Sequence, residues 1–417
     1  MMKQFFDEMV SNTEARLLDH YTGRLRFTLE MFRLGQRLYS RTHRVALCGV
    51  CAPFDLLNAM GINSCFVEFL GAVLAAAGSA GPFLEEAEHA GFLADSCGWH
   101  RAVIGAAAKG MMPIPDLMIA TSSPCTGGVA VIEHLARTFD CPLYVLAIPP
   151  DDSERNVRYL ADQLRSMVDF VAAHTGEALD EGRLREAMNR TNEAREAAIE
   201  VFCLAQRIPS PVRGTDLKNF GLVMPLFFGT EAAVEIAQAY RDEFAARLER
   251  GNSGVPGERL RLMWLQESIQ FKHPLIKMLE EGYQAAIVVD ELNDVYWEPI
   301  DVDDPYVGLA RRTISFPFNG RVERRLKQIK KLVQAYKIDG AINPCHWGCR
   351  QGTGSRGIVG AALKELDIPV INLEVDCADS GNFAEGQLRT RLEAFVEVLD
   401  SRSRQRSMNI GGRVCAT

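Results

Sequence analysis

The chain has 417 residues, 47% of them hydrophobic, enough to bury a large core shared between two or more lobes. A formal net charge of −8 and a pI near 5.6 argue against nucleic acid or an anionic membrane as the main partner. No run approaches the ~18 apolar residues of a membrane span, and the acid-bearing start Met-Met-Lys-Gln-Phe-Phe-Asp-Glu lacks a signal-peptide profile, so a cytoplasmic protein is expected.

In chain order, residues 12–40 carry helical periodicity (Leu17, Leu18, Tyr21, Leu25, Leu29, Phe32, Leu38). A strand at 44–50 runs into Cys48-Gly-Val-Cys51-Ala-Pro53, followed by a helix at 54–60 and a strand at 65–69. Residues 84–110 read as helix and contain Cys97-Gly-Trp99-His100-Arg101; a strand at 116–120 closes on Thr-Ser-Ser-Pro-Cys125-Thr-Gly-Gly. A helix at 129–139 and a strand at 143–148 complete a first α/β lobe, residues 1–150. Residues 151–255 are mainly helix, with a candidate linker at 251–257. A second α/β lobe, 256–417, has strands at 260–265, 285–289, 341–343 and 369–375, with helices at 275–281, 322–336 and 357–366. The β-α alternation predicts a doubly wound parallel sheet in each lobe, and no internal repeat is legible beyond that likeness. The basic face of the 322–336 helix reads as a solvated surface.

Eleven cysteines without an export profile favour metal or redox chemistry over structural disulfides. Cys65, Cys141, Cys203 and Cys415 read as ordinary packing or surface residues. The others stand near the ends of predicted elements in both lobes: Cys48 or Cys51, Cys97 and Cys125, then Cys345, Cys349 and Cys377. Ligands of open parallel sheets collect at such ends, and soft thiolates from separate loops suit an iron–sulfur cluster. Zinc on Cys48, Cys51, Cys345 and Cys349 is the rival, though Cys345-x3-Cys349 is looser than the usual knuckle and Cys97, Cys125 and Cys377 would have no role. Packing without any metal is the third alternative. Gly352-Thr-Gly354-Ser-Arg-Gly357 with Glu374 and Asp376 resembles a dinucleotide fingerprint, but Cys-His-Trp-Gly-Cys-Arg-Gln intervenes between it and its strand. Those glycines are better read as letting backbone approach a cluster or a neighbouring strand. His346 is a candidate proton donor, and Arg350 a candidate to neutralise cluster or substrate charge; alternatively Trp347 packs and Arg350 pairs with Asp376 or Asp379. His100 has a weaker case, and His273 reads as a loop histidine.

The string from Ile371-Asn-Leu-Glu-Val-Asp376-Cys-Ala-Asp379 through Asn382-Phe-Ala-Glu385-Gly-Gln387-Leu-Arg389-Thr-Arg391-Leu-Glu393-Ala-Phe395 resembles the signature of the 2-hydroxyacyl-CoA dehydratase and benzoyl-CoA reductase subunit family. So does Pro53-Phe-Asp-Leu-Leu-Asn-Ala-Met-Gly61, although the family commonly has two acids after its proline. Within the family, His346-Trp347-Gly348-Cys349-Arg350 with Asp376-Cys377-Ala-Asp379 is most similar to the double-cubane cluster proteins. That resemblance implies a double-cubane [8Fe-9S] cluster held by six cysteines, of which Cys97, Cys125, Cys349 and Cys377 match most firmly. It also implies a cleft between the lobes as the site, a homodimer, a separate ATP-hydrolysing [4Fe-4S] reductase that delivers low-potential electrons, and reduction of a small-molecule substrate. An (R)-2-hydroxyacyl-CoA dehydratase subunit with one [4Fe-4S] cluster and a non-catalytic cluster carrier are the alternatives. Met263-Trp264-Leu-Gln-Glu-Ser departs from the glycine-serine turn common in the dehydratases, so no acyl-CoA-binding residue is carried over.

Overall fold

The computed structural model describes the backbone of residues 2–414 and the side-chain surroundings of residues 2–405; Cys415 lies outside the described residues. Eight strands form two sheets: β1 (Val45–Cys48), β2 (Asn63–Phe66), β3 (Leu117–Thr121) and β4 (Leu143–Leu146), then β5 (Leu260–Trp264), β6 (Ala285–Asp290), β7 (Gly340–His346) and β8 (Val370–Val375). The sheets are parallel and share one order, β2-β1-β3-β4 and β6-β5-β7-β8, so both lobes are doubly wound as expected. β1, β3, β5 and β6 are buried along their whole length, which explains their continuous apolar runs.

The lobes repeat each other residue by residue where the first and third strands begin. Asp116 donates its N–H to the Val45 carbonyl and accepts the Val45 N–H on its carboxylate at 2.8 Å. Asp339 makes the same reciprocal pair with Arg261, its carboxylate accepting at 2.9 Å. The ladders agree: Cys48 pairs with Phe66 and Ile119, and Trp264 with Asp290 and Ile342.

Between the lobes, the helices Glu154–Thr175, Glu181–Ala205 and Glu231–Glu249 add an outer layer. The last lies on Glu181–Ala205 and on Gly23–Ser40, with Tyr240 packed among Phe27, Phe220 and Phe244. Two buried ion pairs cross between distant segments. Asp55 takes a two-pronged grip from Arg312 at 2.6 and 3.0 Å, and the fully buried Arg101 reaches Asp379 at 3.2 Å.

Several elements depart from expectation, among them the following. The strand expected at 65–69 stops at Phe66, and Val67 opens the helix Val67–Ala76; a short run apolar on every side carries no period that separates strand from buried helix. The helix expected over 84–110 is two, Gly81–His89 and Gly98–Ala108, parted at Gly91, whose φ of +94° stops the first. β7 extends past 343 through Pro344 to His346. Pro344 is tolerated because β7 has by then run beyond its pairing with β5, which ends at Ile342.

Candidate functional site

The carboxyl ends of both sheets open onto one cavity of about 530 Å³. The first lobe contributes Glu68, Cys97, His100 and Cys125 to its wall, the second Glu267, Cys349 and Arg350. Two thiols make the same capping hydrogen bond. Cys125 caps the helix Thr126–Phe139 and its sulfur accepts the Gly128 N–H at 3.4 Å; Cys349 caps Arg350–Gly354 and accepts the Gly352 N–H at 3.4 Å. The helix expected to start at 129 therefore begins directly after the cysteine.

Cys97 caps Gly98–Ala108, and its position is fixed by glycines on both sides. A Cβ on Gly348 would sit 2.0 Å from the Cys97 nitrogen, and one on Gly98 would sit 2.1 Å from an Asp376 carboxylate oxygen. The lobes thus touch backbone to backbone beside the thiols. Cys377, two residues past β8, lies behind Cys97 and donates its S–H to that sulfur. Cys51, three residues past β1, is close enough to Cys125 to feel its charge, and it lines a neighbouring pocket of about 70 Å³ with Tyr296 and Trp297.

The hydrogen bond from Cys377 brings the Cys97 thiol down to about 6, against burial and helped by His100, while burial and Cys97 push Cys377 well up. Burial raises Cys51 and Cys349, and burial with Glu68 pushes Cys125 to about 12. Burial pulls the His100 imidazole down, but Cys97 and Glu68 outweigh it and hold the charged form to about 9. His100 Nε2 meets Glu68 Oε1 at 3.0 Å. Apart from Cys97, the gathered sulfurs hold their protons until a cation compensates the charge.

The family described as 2-hydroxyglutaryl-CoA dehydratase, D-component, matches residues 49–399. This chain belongs to that family. It is 28% identical to the (R)-phenyllactyl-CoA dehydratase alpha subunit of Clostridium sporogenes over 86% of its length and 90% of the relative. It is 23% identical to a subunit of the benzoyl-CoA reductase of Thauera aromatica, over 77% of this chain and 81% of the relative. Against the (R)-2-hydroxyglutaryl-CoA dehydratase alpha subunit of Acidaminococcus fermentans it is 23% identical, over 70% of this chain and 61% of the relative.

Five of the seven thiols singled out in the sequence of this family member gather: Cys51, Cys97, Cys125, Cys349 and Cys377. Two stand apart. Cys48 is the last residue of β1, fully buried, with its neighbouring charge coming from Cys65. Cys345 lies inside β7 rather than beyond it, against Asn372 and Arg356. The four thiols of the zinc alternative are therefore not assembled. Among the described residues no three His, Cys, Asp or Glu side chains close on a point tightly enough for a single ion. Thiols spread around a cavity suit a multi-iron cluster instead, while the carboxylate oxygens left buried without a partner, Glu68 Oε2 and Asp376 Oδ2, call for a proton donor or a cation.

His346 sits behind this wall. Its Nε2 must be the protonated nitrogen, because it meets the Glu267 carbonyl at 2.9 Å, and its buried Nδ1 has no partner. Arg350 lines the cavity and pairs with Asp95 at 3.2 Å, not with Asp376 or Asp379; Asp379 is taken by Arg101. Trp347 is exposed rather than packed. His273 holds the loop, accepting the Leu275 N–H at 3.3 Å. Glu68 and Glu267 line the cavity and were not singled out from the sequence. Glu68 did leave a signal, a lone charge in the apolar run Phe-Val-Glu-Phe-Leu.

Proposed function

We propose that this chain is an iron–sulfur reductase component that accepts low-potential electrons from a separate ATP-hydrolysing [4Fe-4S] partner and reduces a small molecule on a double-cubane [8Fe-9S] cluster. The observation that carries the reading is the gathering of five thiols from both lobes at one place, Cys97, Cys125 and Cys349 on the cavity wall with Cys51 and Cys377 beside them, more than the three that one cubane with an open iron takes. Cys51, Cys97, Cys125, Cys349 and Cys377 would hold the cluster, which supplies one-electron storage at low potential. The chain sets the conditions. The Gly128 and Gly352 N–H groups donate to ligand sulfurs, and the positive end of Thr126–Phe139 faces them, so both favour the reduced, more negative state. Trp99, Ile104, Val131, Leu222, Phe316 and Phe318 form the apolar wall that excludes water. His100, kept charged by Glu68 and Cys97, can hand a proton toward the cavity. Arg350 stands at the same wall as an anchor for an anionic substrate group.

No helix among the described residues is long and apolar enough to cross a membrane, and the reading places the protein in the cytoplasm as a homodimer. The likeness to dehydratase alpha subunits over most of the chain favours a second reading, an (R)-2-hydroxyacyl-CoA dehydratase subunit with one [4Fe-4S] cluster and a non-identical partner. Iron and acid-labile sulfide analysis of anaerobically purified protein separates the two. About eight irons per chain support the double cubane, about four the dehydratase, and an iron-free protein sinks both.

A further inference from the structure

The repeat between the lobes has a consequence for the second one. The backbone pairs Asp116–Val45 and Asp339–Arg261 make Val45 the counterpart of Arg261. The ladder partners make Cys48 the counterpart of Trp264. Three residues further on, one lobe has Cys51 and the other has Glu267. Where the first lobe sends a thiol toward the shared site, the second sends a carboxylate.

That carboxylate is held on a built platform. Gln266, immediately before it, stands at φ 59°, a left-handed conformation that an ordinary side chain adopts only when its surroundings impose it. They do: the Gln266 N–H donates to Glu291 at 2.8 Å and its side-chain amide to Asn343 at 2.5 Å. The Glu267 carbonyl accepts from His346 at 2.9 Å and from the Trp264 indole at 3.3 Å. Beyond it, Lys218 holds the Ile269 carbonyl, and the Gln270 N–H donates to the Cys377 carbonyl at 2.9 Å. Most polar groups of this turn are spent on fixing it, although the Gln266 Oε1 is buried without a partner; the Glu267 carboxylate lines the cavity and makes no hydrogen bond or ion pair within the described residues. Its charge reaches Cys125, Cys349 and Cys377, adding to the upward push that burial gives each of them.

Resting on the iron–sulfur reading above, we propose that Glu267 is itself an iron ligand, the donor that completes three from the second lobe (Glu267, Cys349, Cys377) against three from the first (Cys51, Cys97, Cys125). A carboxylate oxygen is a harder donor than thiolate, so the iron it holds differs from the others and is the one whose ligand exchanges most readily. His346 is then a positioning residue, fixing the turn through the Glu267 carbonyl.

The test uses the full chain purified anaerobically with its metal, with Glu267→Gln, Glu267→Cys and Cys51→Ser alongside, read by iron and sulfide content and by EPR of the reduced proteins. Glu267→Gln keeps the size of the side chain and removes the charged donor, and it is expected to lose iron about two-fold, as Cys51→Ser does. Glu267→Cys is expected to restore the iron with an altered spectrum, a rescue that a merely structural glutamate would not give. Full iron with a changed spectrum in Glu267→Gln also supports ligation, because another donor has taken the place. Wild-type iron and an unchanged spectrum in Glu267→Gln overturn the inference while leaving the proposed function standing. A wild-type protein without iron overturns both.

Discussion

The two lobes solve the same problem with the same strand order, and they diverge at the acid that follows the second strand. In the first lobe Glu68 is held by His100 through one oxygen, and its other oxygen is buried without a partner beside the cavity. In the second lobe Glu291 is spent entirely on structure: Arg325 grips both oxygens at 2.5 and 2.8 Å, and the Gln266 N–H adds a third bond at 2.8 Å. A satisfied buried acid stabilises its surroundings and has nothing left to offer a ligand, whereas a half-satisfied one is costly unless a ligand completes it. The first lobe therefore reads as the side that handles protons, and the second as the frame that holds Glu267 and Cys349 in place.

The sharpest way to break this comparison is at the thiols. Cys125→Ser and Cys349→Ser remove equivalent capped sulfurs, so both are expected to lose most of their iron and sulfide. Cys48→Ala and Cys345→Ala are expected to match wild type, since those sulfurs face Cys65 and Asn372. Full loading of Cys349→Ser, or metal loss in Cys345→Ala, would show that the second lobe binds through β7 itself and not through the turn beyond it.

Next in size is the contrast between the acids. Arg325→Ala leaves the buried Glu291 without its counter-ion and with the Gln266 N–H in place, and should cost about 3–5 kcal/mol in urea denaturation. Glu68→Gln keeps a hydrogen-bonding group opposite His100 and removes a buried charge, so its cost should be below about 1 kcal/mol while its iron-loaded form turns over more slowly. Equal destabilisation by the two changes would mean that Glu68 is structural as well.

Much of this was legible in the sequence and some was not, for definite reasons. The β-α alternation gave both sheets because parallel strands buried on two faces must be continuously apolar. The cysteines marked a candidate site because thiols are rare enough to stand out. Cys48 and Cys345 stand apart from the other five because spacing along a chain does not say where a strand stops. β1 ends on Cys48 and β7 runs on past Cys345, so both side chains are claimed by the sheets. Glu267 was hidden because its significance lies in a correspondence with Cys51 that only the hydrogen-bond register reveals.

A pH profile probes the second lobe's frame further. Burial raises the Glu280 carboxyl to about 7, against the bonds it accepts from the Gly214 and Ile287 N–H groups. Its folded pKa exceeds the unfolded one, so the folded state holds the extra proton. The associated stability is complete below about pH 4.5 and is lost as pH rises through about 7. Denaturation midpoints measured from pH 4.5 to 8 should therefore fall along this window by an amount worth up to about 3 kcal/mol, and Glu280→Gln should flatten the slope. An unchanged slope in that variant would assign the pH dependence to another group.

The smallest effects lie in the glycines around Cys349, which look alike in sequence and are not alike in space. A Cβ at Gly348 would meet the Cys97 backbone at 2.0 Å and one at Gly352 would meet the Gln266 side chain at 1.7 Å, while Gly357 has open space around it. Gly348→Ala must push the lobes apart where they touch, and should cost about 1–3 kcal/mol together with some iron. Gly352→Ala meets the end of a side chain, but that side chain anchors the Glu267 turn, so its signature should be a changed EPR spectrum more than a lower melting temperature. Gly357→Ala, in the first turn of Arg356–Glu365, should raise stability by about 0.4–1 kcal/mol through the unfolded chain alone and leave the metal untouched. The ordering matters more than any single value. If Gly357→Ala perturbs the metal as much as Gly348→Ala does, the close approach of the lobes is not what holds the thiols together.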